Sequence, residues 1–305
     1  MLQGFAVIDG GLATELERAG ADLSGGLWSA RLLAQQPELI RDVHTAYFEA
    51  GANIAITASY QASYAGFAAI GLDREETNRL LRRSVSLAAE ARDGAKLLGA
   101  RQPMWVAASV GPYGAVLHDG SEYRGDYGLS VEALIDFHAD RLEILAGAGA
   151  DLLACETIPS LDEARALVAV LRRVPSARAW LSFTSRDDRH TAQGEPLVDC
   201  ARLLDAEPQV IAVGVNCVPP DRAASHIREL RRGTTKPIVV YPNSGEVWDG
   251  QAQCWRGSAT ATPLSTLAQE WIAAGATWIG GCCRTTPADI GTIRDAIDRW
   301  AAGRR

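Results

Sequence analysis

Residues 274–283 read AGATWIGGCC, an Ala-Gly-Ala step followed by a short apolar run and then by small or polar residues. The same unit occurs at residues 50–59, AGANIAITAS, and at residues 148–157, AGADLLACET. Glycine commonly ends a helix because it adopts the left-handed conformation that the terminus needs, and a short apolar run after it predicts a buried strand. Each unit therefore predicts the end of one helix and the strand that follows it.

Five further apolar runs complete a set of eight predicted strands, and their near-continuous apolar character indicates a parallel sheet buried on both faces. Amphipathic segments between them predict helices. Eight strands alternating with helices over 305 residues predict an α/β fold, a single (βα)8 TIM barrel forming one domain over residues 1–305. A doubly wound open sheet is the alternative, although no G-x-G-x-x-G motif follows the first strand. The five runs begin at Phe5, Met104, Ala179, Val210 and Pro237, and the clearest helices lie at 75–92, 131–146, 161–173 and 287–300.

The charge and apolar pattern of the chain exclude several classes of partner. A net charge of -7 disfavours nucleic-acid binding, which usually needs clustered Lys and Arg. No window approaches the roughly 18 apolar residues of a membrane span, and the N-terminus lacks the basic and apolar regions of a secretory signal. We therefore expect a cytoplasmic protein, a monomer or small homo-oligomer, that acts on small molecules. In a reducing cytosol its six cysteines should be thiols.

Three cysteines are predicted to lie at the C-terminal ends of strands, where (βα)8 enzymes place their active sites. Cys217 ends the sixth strand, and the adjacent Cys282 and Cys283 end the eighth. Neighbouring cysteines are too close for an ordinary disulfide, whereas three thiolates and one open position suit catalytic Zn²⁺. We expect Gly280 and Gly281 to let the backbone bend so that both thiolates face inward. Simple burial is the alternative for any cysteine, and it is our interpretation of Cys155, Cys200 and Cys254.

Such a site would favour one kind of chemistry. Three thiolates on Zn²⁺ carry a formal charge of -1, and a substrate thiol added as the fourth ligand would be deprotonated. The resulting nucleophile would favour attack on a positively charged electrophile. The cysteine pattern therefore predicts methyl transfer to a thiol from a sulfonium or quaternary ammonium donor.

Other residues at the predicted strand ends suit an amino-acid thiol. Asp9 and Glu156 could accept hydrogen bonds from an α-ammonium group. Gly10, Gly11 and Leu12 stand at a predicted helix N-terminus, where free N–H groups and the helix dipole could hold an α-carboxylate. A helix cap is an equal alternative for Asp9, and solvation at the C-terminal end of the barrel is the alternative for Glu156.

The motifs resemble those of one known family over residues 7–293. The chain resembles the homocysteine S-methyltransferases, zinc-dependent (βα)8 enzymes, and is most similar to the branch that uses S-methylmethionine. The paired GVNC and GGCC motifs are the most specific part of the resemblance. The matching segments are IDGGLATELE (8–17), ITASYQAS (56–63), SVGPYGA (109–115), DGSEYRGDY (119–127), ADLLACETIP (150–159), GVNC (214–217), VVYPNSGE (239–246) and IGGCCRTTP (279–287).

The resemblance implies roles for particular residues. It implies that Cys217, Cys282 and Cys283 bind zinc and that Asp9 and Glu156 hold the amino group of homocysteine. Trp28 matches a tryptophan that packs against the donor in betaine-using relatives, while Asn216 and Asn243 stand in matching motifs and would shape the site. Thr157 stands where the betaine branch carries an aromatic residue, and the chain ends without that branch's C-terminal extension. The expected donor is therefore S-methylmethionine or S-adenosylmethionine.

Three other functions remain open from the sequence. The same site could methylate selenocysteine or another thiol. It could instead be a non-catalytic zinc or thiol sensor, in which Cys254 would be the candidate fourth ligand. A vicinal dithiol redox enzyme is the third alternative, and it would be active without metal.

Overall fold

The fold is a closed barrel of eight parallel strands. The computed structural model describes residues 4–23, 28–249 and 254–303, without the side chains of Trp28, Ser29, residues 247–249 and Cys254. The barrel strands are β1 (Ala6–Val7), β2 (Ile54–Ile56), β3 (Trp105–Val110), β4 (Leu152–Ile158), β5 (Ala179–Phe183), β6 (Val210–Asn216), β7 (Ile238–Tyr241) and β10 (Ala276–Ile279). Each pairs with the next in parallel, β10 pairs with β7 and β1, and a parallel bridge from Ile8 to Ile54 closes the circle. The predicted TIM barrel is confirmed.

Helices alternate with these strands. They are α1 (Leu12–Arg18), α2 (Trp28–Gln35), α3 (Pro37–Glu49), α4 (Tyr64–Ala69), α5 (Arg74–Leu97), α6 (Tyr113–Leu117), α7 (Val131–Ala146), α8 (Leu161–Leu171), α9 (Leu197–Asp205), α10 (Ala223–Arg231), α11 (Leu264–Ala274) and α12 (Pro287–Ala302). A 3₁₀ turn covers Ser121–Tyr123, and β8 (Val247–Asp249) pairs with β9 (Cys254–Arg256) in an antiparallel hairpin that the sequence patterns did not predict. Among the described residues, no helix is both long and apolar enough to cross a membrane.

Local sequence explains where the longest outer helices begin. Asp73 caps α5 by accepting from the Glu76 amide, and the Glu76 side chain accepts in return from the Asp73 amide. Thr286 and Asp289 form the same reciprocal pair at the start of α12, where Pro287 is the first helical residue. Such pairs satisfy amide groups that have no partner within the helix. Short segments of the sequence therefore determine where these helices begin.

Alternation along the strands fills the barrel interior. Every second residue faces inward, and Trp180 and Trp278 pack edge to face there with ring centroids 6.1 Å apart. Two residues beyond the inward-facing Ala154 and Trp180, the same alternation places Glu156 and Ser182 in the next layer. The apolar interior thus gives way to a polar layer at the C-terminal end of the barrel, called the mouth below.

Candidate metal centre and substrate pocket

The structure brings the three strand-end cysteines together. Cys217 follows β6 and the pair Cys282 and Cys283 follows β10, on either side of β7. The Cys283 sulfur lies 3.8 Å from that of Cys217 and 4.0 Å from that of Cys282. All three sulfur atoms lie within 4.8 Å of one another, a grouping that could hold a metal ion. Thiolates are the ligands that soft or borderline metals such as zinc and copper(I) prefer.

The expectation that all six cysteines are thiols is wrong for two of them. Cys217 and Cys282 are joined as a disulfide, with Cα atoms 5.6 Å apart. That separation is ordinary for a disulfide, and two strands can supply it, whereas sequence neighbours cannot. Cys155 and Cys200 are buried free thiols in the apolar core. The side chain of Cys254 lies outside the described part of the structure.

Close packing holds the cysteine loop in place. A Cβ atom on Gly280 would lie 2.7 Å from Ile8 Cβ, and one on Gly281 would lie 2.7 Å from Thr285 Cβ. Neither glycine has a positive φ, so these positions need glycine for space and not for a left-handed backbone. Left-handed backbone occurs instead at Cys217 (φ 49°) and Arg284 (φ 66°). Non-glycine residues held there cost about 1–3 kcal/mol each and are common at functional sites.

Burial disfavours a free thiolate in this cluster. Burial, together with the charges of Glu156 and Glu122, raises the pKa of the Cys283 thiol to about 12. A thiol with that pKa is protonated at neutral pH and is a poor nucleophile by itself. A metal ion bound to the sulfurs would displace the proton, because a coordinating thiol is deprotonated. The donor set and its surroundings therefore fit a metal centre better than a reactive cysteine.

A cavity of about 810 Å³ lies at the mouth beside the cysteines. Its charged lining is acidic: Arg284 is the one basic residue among the described lining residues, and it is paired with Glu246 at 3.1 Å. An acidic cavity favours positively charged ligands. The acidic lining residues are Glu17, Asp22, Glu122, Glu156 and Glu246, and the uncharged ones include Gly10, Gly11, Leu12, Thr14, Tyr60, Tyr123, Thr157 and Tyr241.

Glu156 is buried in the cavity wall. It is therefore not solvated at the end of the barrel, which was the alternative considered for it. Its Oε1 accepts a hydrogen bond from the Ser109 hydroxyl, and the Tyr241 hydroxyl is a second partner. Burial raises the pKa of this carboxyl to about 7, although both hydrogen bonds act in the opposite direction. Near neutral pH, Glu156 can therefore change its charge in response to a bound cation.

Asn216 fixes the backbone beside Glu156. The register of β4 on β5 shifts between Cys155 and Ile158, and Thr157 within this bulge has a φ of 62°. Asn216 Oδ1 accepts from the Thr157 amide at 2.7 Å, and Asn216 Nδ2 donates to Thr157 Oγ1 at 2.8 Å. Bulges commonly redirect side chains next to active sites. Asn216 is not among the cavity-lining residues and acts on the site through Thr157.

Asp9 is buried, precedes the cavity-lining Gly10 in the chain, and does not cap α1, whose N-cap residue is Gly11. Its Oδ2 accepts from the Ile56 amide at 2.8 Å, while Oδ1 is buried without a hydrogen-bond partner among the described residues. Burial, with a contribution from the Glu156 charge, raises its pKa well above the usual range. Buried polar atoms are normally satisfied. The unpartnered oxygen and the neighbouring carboxyl are therefore consistent with a cationic ligand between them.

The remaining predicted residues differ in their placement. Gly10 and Gly11 line the cavity, but the Gly11 amide already donates to the backbone and side-chain oxygens of Thr285. Asn243 accepts from the Gly245 amide at 2.8 Å and shapes its own turn outside the lining. Trp28 lies in α2, and its side chain is outside the described residues.

Sequence reasoning missed Glu122 as a site residue. It lies in the 3₁₀ turn, lines the cavity and is 5% exposed. The segment DGSEYRGDY contains Glu122 together with Asp119 and Asp126. No sequence pattern indicates which of these three acidic residues is buried. Ser109 and Tyr241 stand in the matching segments SVGPYGA and VVYPNSGE, but nothing in the sequence indicated their contacts to Glu156.

A (βα)8 barrel with a three-sulfur centre beside an acidic pocket defines a class of metal-assisted enzyme, and comparison with known proteins narrows that class. Residues 6–297 match the family model described as homocysteine S-methyltransferase. The chain is 51% identical to the homocysteine S-methyltransferase YbgG of Bacillus subtilis over 300 residues, covering 97% of this chain and 94% of the relative. The chain belongs to the homocysteine S-methyltransferase family.

Solved structures and a second relative add detail. The metallated form of the homocysteine methyltransferase MmuM from Escherichia coli superposes with a TM-score of 0.87 at 49% identity, covering 96% of both chains. The oxidized form of the same enzyme gives the same values. A selenocysteine Se-methyltransferase of Brassica oleracea is 45% identical over 308 residues, covering 96% of this chain and 89% of the relative.

Proposed function

We propose that this protein transfers a methyl group from S-methylmethionine to the thiol of homocysteine, which gives two molecules of methionine. The observation that carries the proposal is the cluster of three cysteine sulfurs beside an acidic cavity. The family's activity and the metallated relative support the same conclusion.

We further propose that the metal is zinc and that Cys217, Cys282 and Cys283 hold it. Sulfur ligands about 2.3 Å from a tetrahedral zinc ion stand about 3.8 Å apart. The two non-bonded sulfur separations of Cys283, 3.8 Å and 4.0 Å, suit that arrangement. Reduction of the Cys217 to Cys282 disulfide would release the other two ligands. Zinc bound there lowers the pKa of an exogenous thiol and keeps it as a thiolate near neutral pH.

The protein's own residues bind and orient the amino acid. Asp9 and Glu156 accept hydrogen bonds from the α-ammonium group of homocysteine, which also places a positive charge between two buried carboxyls. Ser109 and Tyr241 fix the orientation of Glu156, since both bond to its carboxyl. A ligand held in this way has already lost most of its translational and rotational freedom, so little further entropy is lost when its sulfur reacts.

The acidic cavity suits a cationic methyl donor. S-Methylmethionine carries a sulfonium and an ammonium group against one carboxylate, so its net charge is +1. In the transfer, the homocysteine sulfur forms a bond to the methyl carbon, and the donor sulfur keeps the electron pair of the bond that breaks. The thiolate and the sulfonium lose their opposite charges together in this step, so the net charge within the cavity does not change.

The test is to incubate reduced, zinc-loaded protein with homocysteine and S-methylmethionine bearing ¹³C-methyl groups, and to measure labelled and total methionine by mass spectrometry. We expect two methionines for each donor consumed. S-Adenosylmethionine in place of S-methylmethionine tests the donor. No methionine from either donor would overturn the proposal and would favour a zinc or thiol sensor, and methionine formation by metal-free protein would favour a metal-independent methyltransferase.

A second candidate reaction is the methylation of selenocysteine, which the 45% identical Brassica relative favours. A selenol ionises more readily than a thiol, so the same site could bind it as an anion. The two acceptors are compared by kcat/KM with a common donor. A higher kcat/KM for selenocysteine than for homocysteine would make selenocysteine the preferred acceptor.

A further inference from the structure

Glu122 is a second carboxylate of the cavity that the proposed homocysteine site does not use. It lies in the loop of residues 111–128, which folds as α6 and the 3₁₀ turn between β3 and α7. The Thr184 hydroxyl donates to its backbone oxygen at 3.1 Å, which fixes the turn against the strand-end layer. Only 5% of the residue is exposed, so the fold holds a carboxylate inside the cavity wall.

The carboxylate of Glu122 has an unsatisfied oxygen. Its Oε2 is buried and has no hydrogen-bond partner within the described ranges of the chain. The nearby cation Arg124 bonds elsewhere, to the Asp119 carbonyl, the Ser121 hydroxyl and the Asp126 carboxylate. A buried carboxylate oxygen without a donor is costly, and native proteins rarely retain one without a reason. A ligand that donates hydrogen bonds would satisfy it.

Glu122 is a separate anionic position from the pair Asp9 and Glu156. Glu122 lies in the 3₁₀ turn of the loop after β3, whereas Glu156 lies near the end of β4 and Asp9 follows β1. Of the five acidic residues that line the described cavity, Glu122 and Glu156 are the two that are buried, and the volume of about 810 Å³ is large enough for two amino acids. Two amino-acid substrates bring two ammonium groups.

We propose that Glu122 binds the α-ammonium group of the methyl donor, and so is a specificity residue for donors that are amino acids. The inference rests on the proposed function. An ammonium group donates three hydrogen bonds, whereas a sulfonium centre donates none and cannot satisfy Glu122 Oε2. The rings of Tyr60 and Tyr123 line the same cavity and supply apolar and π surface for the sulfonium methyl groups.

The experiment compares Glu122→Gln with wild type, using S-methylmethionine and (3-carboxypropyl)dimethylsulfonium, the same donor without its amino group. Loss of a charge-assisted hydrogen bond predicts a rise of about 10- to 100-fold in KM for S-methylmethionine. The KM for homocysteine should stay within about threefold, and the deaminated donor should bind wild type and variant alike, because the interaction being tested is missing from it. Asp126→Asn removes the same charge from an exposed position of the same loop and should leave both KM values unchanged.

Three results would overturn the inference. The first is an unchanged KM for S-methylmethionine, and the second is a rise in the KM for homocysteine instead. The third is an equal loss for both donors.

Calorimetric titration of zinc-loaded protein with S-methylmethionine measures donor binding without turnover. If wild type forms no methionine, the proposed function fails; if wild type is active and Glu122→Gln keeps its donor affinity in both assays, only the inference about Glu122 fails. Circular dichroism and thermal unfolding confirm that the variant is folded.

Discussion

Glu156 and Glu122 are both buried carboxyls in the wall of one cavity, yet the fold supports them differently. Glu156 ends a barrel strand, and its oxygens are held by Ser109 and Tyr241, while Asn216 locks the adjacent bulge. Glu122 stands on a loop and has a buried oxygen without a partner in the described structure. Burial raises the pKa of both to about 7. The difference shows that the barrel orients one anionic position in advance, whereas the other is completed by a ligand.

The largest effect should come from removing the cysteine centre that lines the same cavity as the two carboxyls. Cys282→Ser removes one of three sulfur ligands, and we expect loss of bound zinc and a fall of more than about 1000-fold in methionine formation. Metal content by mass spectrometry and the methionine assay measure the two effects. Cys200→Ala, in the apolar core away from the cavity, should keep full zinc and activity. A Cys282→Ser protein with one zinc per chain and normal turnover would contradict the ligand assignment.

Glu156→Gln should separate the two carboxyls by substrate. We expect kcat/KM for homocysteine to fall by about 100-fold, because the charge that faces the ammonium group is lost and the hydrogen-bond network is disturbed. The KM for S-methylmethionine should change little, the opposite pattern from Glu122→Gln. Steady-state kinetics with each substrate varied in turn measure both. Equal losses for the two substrates would mean that the cavity does not have separate ammonium positions.

The pH dependence of stability tests the burial of Glu156. Its folded pKa of about 7 exceeds the unfolded value, so this group favours folding most at acidic pH, and the contribution is lost as the pH rises through 7. At pH 8 the ionised carboxyl of Glu156 lowers the free energy of unfolding by up to about 3 kcal/mol. The neutral side chain of glutamine does not carry this cost. The stability of Glu156→Gln relative to wild type should therefore increase between pH 5 and pH 8. Urea unfolding measures the stability of both proteins at pH 5 and pH 8, with the same metal content throughout. A difference in stability that is equal at the two pH values would contradict the prediction.

The smallest effect should come from replacing Asn216, which holds the backbone next to Glu156. Asn216→Ala removes the two bonds to Thr157, so the bulge should loosen and kcat/KM for homocysteine should fall by about tenfold. Zinc content should be unchanged, although Cys217 is the next residue. Asn243→Ala, which loses one turn hydrogen bond outside the cavity, is the matched control. A loss of zinc in Asn216→Ala would show that Asn216 supports the metal centre and not the bulge.

The fold could be predicted from local patterns. Eight apolar runs, three of them after Ala-Gly-Ala steps, gave the strands, and capping residues such as Asp73 and Thr286 mark helix starts. The β8 and β9 hairpin was missed because its segment lacks such a pattern. The strand-end cysteines could be placed in one layer because a closed parallel barrel brings the C-terminal ends of its strands together.

The sequence by itself determined the barrel, the family motifs and the set of side chains at the mouth, because these depend on residue spacing and strand periodicity. Tertiary structure decided which of those side chains share a contact. It paired Cys217 with Cys282, it gave Asp9 a backbone partner at Ile56 in place of a helix cap, and it buried Glu122 while the acidic residues Asp119 and Asp126 of the same loop stayed exposed. Burial and pairing depend on residues far apart in the chain, so no local pattern contains them.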